Sequence, residues 1–185
     1  MAIYQYCIPQ YYYDTVFEIP YEQLKKQGKT TLFFDLDNTI MSYDQTELDL
    51  KYVTLISELQ KTFHVVIVSN SGYKRVSHAC KMYDVSFIHS ARKPLKLGYK
   101  KALKVNHTTS DQSVFIGDQI MTDVLGSNRM GMTSILVKPV KQKTDHVLTR
   151  INRKIEKIMI KKIMKKIPGK VNEALKRHAK DIHQL

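Results

Sequence analysis

The sequence predicts a doubly wound, mostly parallel five-stranded α/β sheet followed by a basic C-terminal helix. Two observations carry this reading. Short apolar runs recur without alternation, as in Leu32-Phe33-Phe34 and Val65-Val66-Ile67-Val68. Strands buried on both faces read this way, which suits a parallel sheet covered by helices. Helix-period patterns separate the runs, as crossover connections between parallel strands require.

Taken in order, residues 1–21 hold Tyr4, Tyr6, Tyr11, Tyr12, Tyr13 and Tyr21, interrupted by Pro9 and Pro20. No long regular element is expected there; packing under the sheet is favoured over an interface role, in which tyrosine's polar end would be used. A short helix over Tyr21–Lys26 leads through Gly28 into the first strand, Thr31–Phe34. A helix over Asp49–Lys61 offers Leu50, Val53, Leu55, Ile56 and Leu59 for one face. Strand Val65–Val68 ends at Ser69-Asn70-Ser71-Gly72, and helix Tyr73–Tyr83 follows. Strand Val85–His89 runs into Ala91-Arg92-Lys93-Pro94, then helix Leu95–Val105. Strand Ser113–Ile116 ends at Gly117-Asp118, and helix Thr122–Arg129 has Gly131 placed to cap it. Strand Thr133–Val137 closes the sheet. The pattern divides the chain into a domain over residues 1–144 and a basic amphipathic helical extension over 145–185.

Composition is ordinary for a globular protein, at 43% hydrophobic and 25% charged. Cys7 and Cys80 are far apart and form no CxxC, so neither a disulfide framework nor a zinc site is expected; a reducing, cytoplasmic setting is. No apolar run approaches the ~20 residues of a spanning helix, and the N-terminus lacks the basic and apolar regions of a signal peptide. The net charge of +13 is concentrated: residues 1–137 hold 15 Lys+Arg against 13 Asp+Glu, and residues 138–185 hold 15 against 4. So local a field points to an anionic surface, lipid or nucleic acid, or to a merely solvated helix face.

Each strand ends in a reactive group. Asp35 and Asp37 follow the first, Ser69 and Asn70 the second, Lys93 the third and Asp118 the fourth. Parallel strands would bring them all to one edge, where open α/β sheets place their chemistry. A lone Asp-x-Asp is weak; four strand-end groups in this order are not. Asp123 reads either as a further acid of the site or as a charge at a helix N-terminus. Lys96 is the rival of Lys93. The seven histidines show no metal-ligand spacing and read as ordinary.

These residues resemble the motifs of the haloacid dehalogenase-like (HAD) superfamily of phosphohydrolases. Asp35-Leu36-Asp37-Asn38-Thr39 matches the first motif, Ser69 the second, Lys93-Pro94 the third, and Gly117-Asp118 through Asp123 the fourth. More closely, residues 5–167 look like the YqeG-type branch of subfamily IIIA, which is related to phosphatidylglycerophosphate phosphatases; the tyrosine-rich start and Thr149-Arg150-Ile151-Asn152-Arg153 contribute to that likeness. The resemblance implies a HAD-like Rossmannoid fold and a phosphomonoesterase. In it, Asp35 is the nucleophile, forming an aspartyl-phosphate, and Asp37 the general acid and base. Ser69, the amide of Asn70 and Lys93 hold the phosphoryl group. Mg²⁺ is bound by Asp35, the Asp37 carbonyl and Asp118, with Asp123 behind them.

Only 29 residues separate Thr39 from Ser69, and 23 separate Ser69 from Lys93. Neither gap holds a cap domain, so the site is expected to be open to large or surface-bound substrates. In the tail, Leu148, Ile151, Ile155, Ile158 and Met159 form one apolar stripe. Ile160, Ile163, Met164 and Ile167 form a second, with Lys162, Lys165 and Lys166 opposite. The first stripe is expected to dock on the domain and the second to face outward. Residues 148–167 would then lie on an anionic phospholipid surface at the inner face of the membrane. The substrate expected is a phosphorylated lipid, with a soluble metabolite or nucleic-acid end as the alternative; an RNA- or ribosome-binding role is less favoured. Oligomeric state is left open.

Overall fold

The computed structural model describes residues 2–81, 84–141, 147–166 and 170–181. Six parallel strands form one sheet in the order β1-β6-β5-β2-β3-β4. They span Tyr11–Tyr13 (β1), Thr31–Phe34 (β2), His64–Val68 (β3), Ser86–Ile88 (β4), Ser113–Gly117 (β5) and Thr133–Val137 (β6). The helices are Ile3–Tyr6 (α1), Tyr21–Lys26 (α2), Leu50–Gln60 (α3), Tyr73–Cys80 (α4), Lys96–Val105 (α5), Leu125–Arg129 (α6), Val147–Lys166 (α7) and Lys170–Asp181 (α8). The chain order reverses between β2 and β5, and the crevice at such a reversal is where this architecture places ligands.

The fold class is the predicted one, with one strand more. Tyr11–Tyr13 pairs in parallel with Ile135–Val137 and forms an edge strand. Three consecutive tyrosines carry no apolar alternation, so the strand left no periodic signal; its partner, more than 120 residues on, supplies the ladder. The α4 helix ends at Cys80, and Met82 and Tyr83 of the expected longer helix lie outside the described residues. Where helix Thr122–Arg129 was expected, a π-helical turn over Ile120–Val124 precedes α6.

Two apolar layers sandwich the sheet. One gathers Leu32, Phe34, Ile67, Val114 and Ile116 with Ile56 and Leu59 of α3 and Val76 of α4. On the other face, Phe33, Val66, Val68 and Phe115 meet Tyr99 and Ala102 of α5. Every residue of β2, β5 and β6 is buried, as both-face coverage of a parallel sheet requires.

The C-terminal helices dock the other way round from expectation. Ile160 and Ile163 of the second stripe are buried with Leu175 of α8 against Cys7, Ile120, Val124, Leu125 and Leu136. Ile151, Ile155 and Ile158 of the first stripe are 49%, 41% and 69% exposed. Periodicity locates two stripes but does not say which one docks; here the buried face is also the one that carries Arg153 and Glu156 into the domain. Ile167 lies outside the described residues. Among them, no helix is long and apolar enough to cross a membrane.

Candidate active site

Strand ends position the site. Directly after β2, the Asp35 amide donates to the Ile116 carbonyl at 2.9 Å, which extends the ladder one residue beyond the strand. The chain then turns sharply. Asn38 has a φ of 65°, a left-handed conformation that asparagine tolerates better than most residues. The amides of Ile40 and Met41 both donate to the Leu36 carbonyl, and the turn leaves Asp35 and Asp37 at the floor of a cleft of about 360 Å³. Ser69 and Asn70 after β3, Lys93 after β4, and Gln119 and Thr122 after β5 line the same cleft with Tyr43, Ser71 and Asn152.

Lys93 is 6% exposed and its Nζ bridges Asp35 Oδ1 at 2.7 Å and Asp123 Oδ1 at 2.8 Å. Its backbone is clamped by the Asn70 side chain, whose Oδ1 accepts from the Lys93 amide at 2.7 Å while Nδ2 donates to its carbonyl at 3.1 Å. Lys96 is exposed at the start of α5, so Lys93 is the lysine of the cleft. Asp123 is brought back over the strand end by the π-helical turn, a geometry that recurs at functional sites. Its Oδ2 accepts from the Gln119 amide at 3.1 Å. Gly117 makes room for it: a Cβ there would meet Asp123 Oδ2 at 2.3 Å.

Asp37 accepts from three donors: Ser71 Oγ at 2.7 Å, Ser69 Oγ at 3.2 Å and Arg75 Nε at 2.7 Å. Arg75 lies over the Tyr43 ring, 4.7 Å from its centroid, and also donates to the Gln45 and Ser42 carbonyls. Asp118 accepts from Arg153 Nη2 through Oδ2 and, more weakly, from Thr39 Oγ1 at 3.4 Å through Oδ1.

Asp35, Asp118 and Asp123 are buried and offer oxygens within 4.8 Å of one another. Burial pushes the Asp35 carboxyl well above the usual carboxylate range; Lys93 opposes this, while Asp123, Asp118 and Asp37 add to it. Asp118 is pushed up to about 7, by burial first and by Asp123 and Glu156 after it, against the pull of Arg153. Burial alone would depress the Lys93 ammonium, but Asp123 and Asp35 outweigh it and raise the group. Among the described residues, five buried carboxylates, Asp35, Asp37, Asp118, Asp123 and Glu156, thus face two buried basic side chains, Lys93 and Arg153, with half-buried Arg75 beside Asp37. A hard divalent cation with oxygen ligands fits that deficit.

The structure therefore brings Asp35, Asp37, Ser69, Asn70, Lys93, Asp118 and Asp123 into one place. It adds Ser71, Arg75, Asn152, Arg153 and Glu156, which the sequence did not single out as site residues. Ser71 and Arg75 carried a usable signal, a second hydroxyl and a cation within six residues of Ser69. Arg153 and Asn152 carried only their place in the Thr149–Arg153 stretch, which marked a likeness and no role; Glu156 sat inside a charge run and had no signal.

Residues 1–142 match the family model described as mitochondrial PGP phosphatase, most of the chain. The chain belongs to that family. It is 32% identical over 163 residues to the probable phosphatase YqeG of Bacillus subtilis (strain 168), covering 88% of this chain and 94% of that one. Identity is 22% over 173 residues to the Arabidopsis thaliana chloroplastic/mitochondrial phosphatidylglycerophosphate phosphatase 1, covering 88% of this chain and 49% of that protein. A solved hypothetical protein from Xanthomonas campestris shares the fold at a TM-score of 0.50 and 11% identity, over 93% of this chain and 95% of that one. As a member of this family the chain is a phosphatase of the HAD type.

Proposed function

We propose that this phosphatase hydrolyses the terminal phosphate of phosphatidylglycerophosphate at the surface of an anionic membrane, with Mg²⁺ bound in the carboxylate cluster. The observation that carries the chemistry is the pairing, on one floor, of Asp35 against Lys93 and Asp37 against Ser69, Ser71 and Arg75. The family match and the Arabidopsis relative support the substrate.

Mg²⁺ would be held by Asp35, Asp118 and the Asp37 carbonyl, with Asp123 alongside; when bound it offsets the negative charge shared by the carboxylates and the phosphoryl dianion. An Asp35 oxygen attacks phosphorus, and the bond to the leaving alcohol's oxygen breaks. Asp37 delivers the proton that oxygen takes up. Asp37, again a carboxylate held by Ser71 and Arg75, then draws a proton from a water that attacks the aspartyl-phosphate. That step releases inorganic phosphate and regenerates Asp35. Ser69 and the Asn70 amide hold the phosphoryl oxygens, and Lys93 offsets charge on Asp35 throughout.

Access to a membrane-bound substrate is supported by α7. Asn152 lines the cleft, and on the same helix Ile151, Ile155 and Ile158 are exposed beside exposed Lys154, Lys161, Lys162 and Lys165. An apolar strip edged by lysines suits the headgroup boundary of an anionic leaflet, where each basic residue contributes about 1 kcal/mol. The test is phosphate release by the full chain with Mg²⁺, from phosphatidylglycerophosphate in anionic vesicles and from soluble phosphomonoesters. The lipid is expected to be the better substrate, and Asp35→Asn to lower release at least about a thousandfold. Preference for the soluble esters would replace the lipid reading, and an active Asp35→Asn protein would refute the nucleophile.

A further inference from the structure

Helix α7 reaches into the carboxylate cluster from outside the sheet. Arg153, 3% exposed, donates through Nη1 to the Asp118 backbone carbonyl at 2.8 Å and through Nη2 to Asp118 Oδ2. One fork therefore fixes both the strand end and its side chain. The guanidinium is itself braced by fully buried Glu156, whose Oε2 lies 3.3 Å from Nη1. Glu156 Oε1 in turn accepts from the Met121 amide at 3.2 Å, and His178 of α8 lies 3.8 Å from Oε2. The Asp118 carboxylate is thus tied through Arg153 and Glu156 to α7, with His178 of α8 packed beside Glu156.

We propose that Arg153 is a positioning residue for the cation site, so that α7 completes a centre the sheet alone leaves unfinished. This rests on the Mg²⁺ reading above. A carboxylate at a strand end turns about two side-chain bonds, and apart from Arg153 the hydrogen bond it accepts among the described residues is the long 3.4 Å contact of Thr39, in the turn after β2, at Oδ1. With Oδ2 engaged by the guanidinium, Oδ1 is the oxygen with lone pairs to offer a cation. Outer partners that orient a ligand in this way typically account for about 10- to 100-fold in metal affinity. A planar fork suits the task better than a point charge, because it spans carboxylate and carbonyl together. Arg153 lies beyond the family-model match, which ends at residue 142, and within the stretch that resembles the YqeG-type branch.

The probe is Mn²⁺, with free ion followed by electron paramagnetic resonance in the full chain. Arg153→Gln is expected to bind Mn²⁺ about 10- to 100-fold more weakly while unfolding in a single cooperative transition. At saturating Mg²⁺ its kcat should return to within about threefold of the parent, because the defect lies in holding the ion. Affinity within twofold of the parent overturns the inference. Tighter binding also overturns it, since the guanidinium would then compete with the cation. So does a kcat that stays low with Mn²⁺ affinity unchanged. Should the Gln variant fail to fold, Arg153→Lys decides: about fivefold weaker Mn²⁺ binding is expected from losing the fork, and parent-like affinity refutes it. A parent chain that binds no Mn²⁺ brings down the Mg²⁺ reading as well; a parent that binds it equally with its Gln variant brings down this inference alone.

Discussion

Strand β2 and helix α7 deliver charged groups to the same cleft by opposite routes. In β2 the main chain sets the position: the strand is paired on both sides, and the ladder continues through the Asp35 amide to Ile116. In α7 a long side chain sets it. Arg153 spans the gap between a helix and a strand end, and stays in place because Glu156 braces it. Groups fixed by backbone register keep a constant spacing along the chain. Those fixed by side-chain reach depend on which face of a helix docks, and that is decided by everything around it.

Three experiments would break or sharpen this contrast. The largest effect is expected on the strand side. Asp37→Asn keeps the size of the side chain but removes the proton carrier, so kcat should fall about 10²- to 10⁴-fold. A pre-steady-state burst of alcohol release in that variant would locate the defect in breakdown of the covalent intermediate. Full activity would remove Asp37 from the mechanism.

An intermediate effect is expected where the two routes meet, at Asp118. Mg²⁺ at about a hundredfold above its Kd should stabilise the fold by about 2.7 kcal/mol, a rise of about 5–10 °C in Tm for a chain of this size. A chelator should reverse it. The pH dependence has a definite sign. A carboxyl raised from its ordinary 3.8 to about 7 favours the folded state fully below 3.8, and that contribution is lost as the pH rises through 7. The cation needs the ionised carboxylate and gains over the same interval. The Mg²⁺-induced shift should therefore be larger at pH 8 than at pH 6; a shift of the reverse order would exclude Asp118 as a ligand.

The smallest effect on the fold is expected on the outer face of α7. Ile155→Ser combined with Ile158→Ser should change stability by less than about 0.5 kcal/mol per site, since both side chains already face solvent. Binding to vesicles containing anionic lipid should weaken about tenfold, as apolar area is withdrawn from the interface. A loss of several kcal/mol in stability would mean that these isoleucines are packed against protein.

The same contrast explains what the sequence disclosed. Four of the six strands were legible because both-face burial produces continuous apolar runs, and edge strand β4, only partly buried, from a short apolar run. The strand-end residues Asp35, Asp37, Ser69 and Asp118 followed from strand order, while Lys93 was chosen over Lys96 by the Lys93-Pro94 likeness. Asp123 was visible but ambiguous: a charge near a helix start and an acid of the cleft look alike until a π-helical turn widens the helix. Strand β1 was hidden because Tyr11-Tyr12-Tyr13 has neither alternation nor an aliphatic run. The docking of α7 was reversed because two stripes of similar strength offer no one-dimensional criterion for choosing between them. Arg153 stood in the Thr149–Arg153 stretch without an assigned role and Glu156 among lysines in a charge run; their burial is what places them in the site.

Strand β1 also has a consequence for the life of the chain. It is synthesised first, yet its ladder partner β6 lies 124 residues downstream, and Asn128 holds the same segment by donating to the Tyr6 and Ile8 carbonyls. This strand must therefore wait until nearly the whole sheet exists before it can pair. Until then β6 presents an open row of amides and carbonyls, which is the template on which neighbouring molecules add strands. Seen this way, three tyrosines at the sheet margin act as a molecular selvedge, finishing a woven edge that would otherwise fray into aggregates.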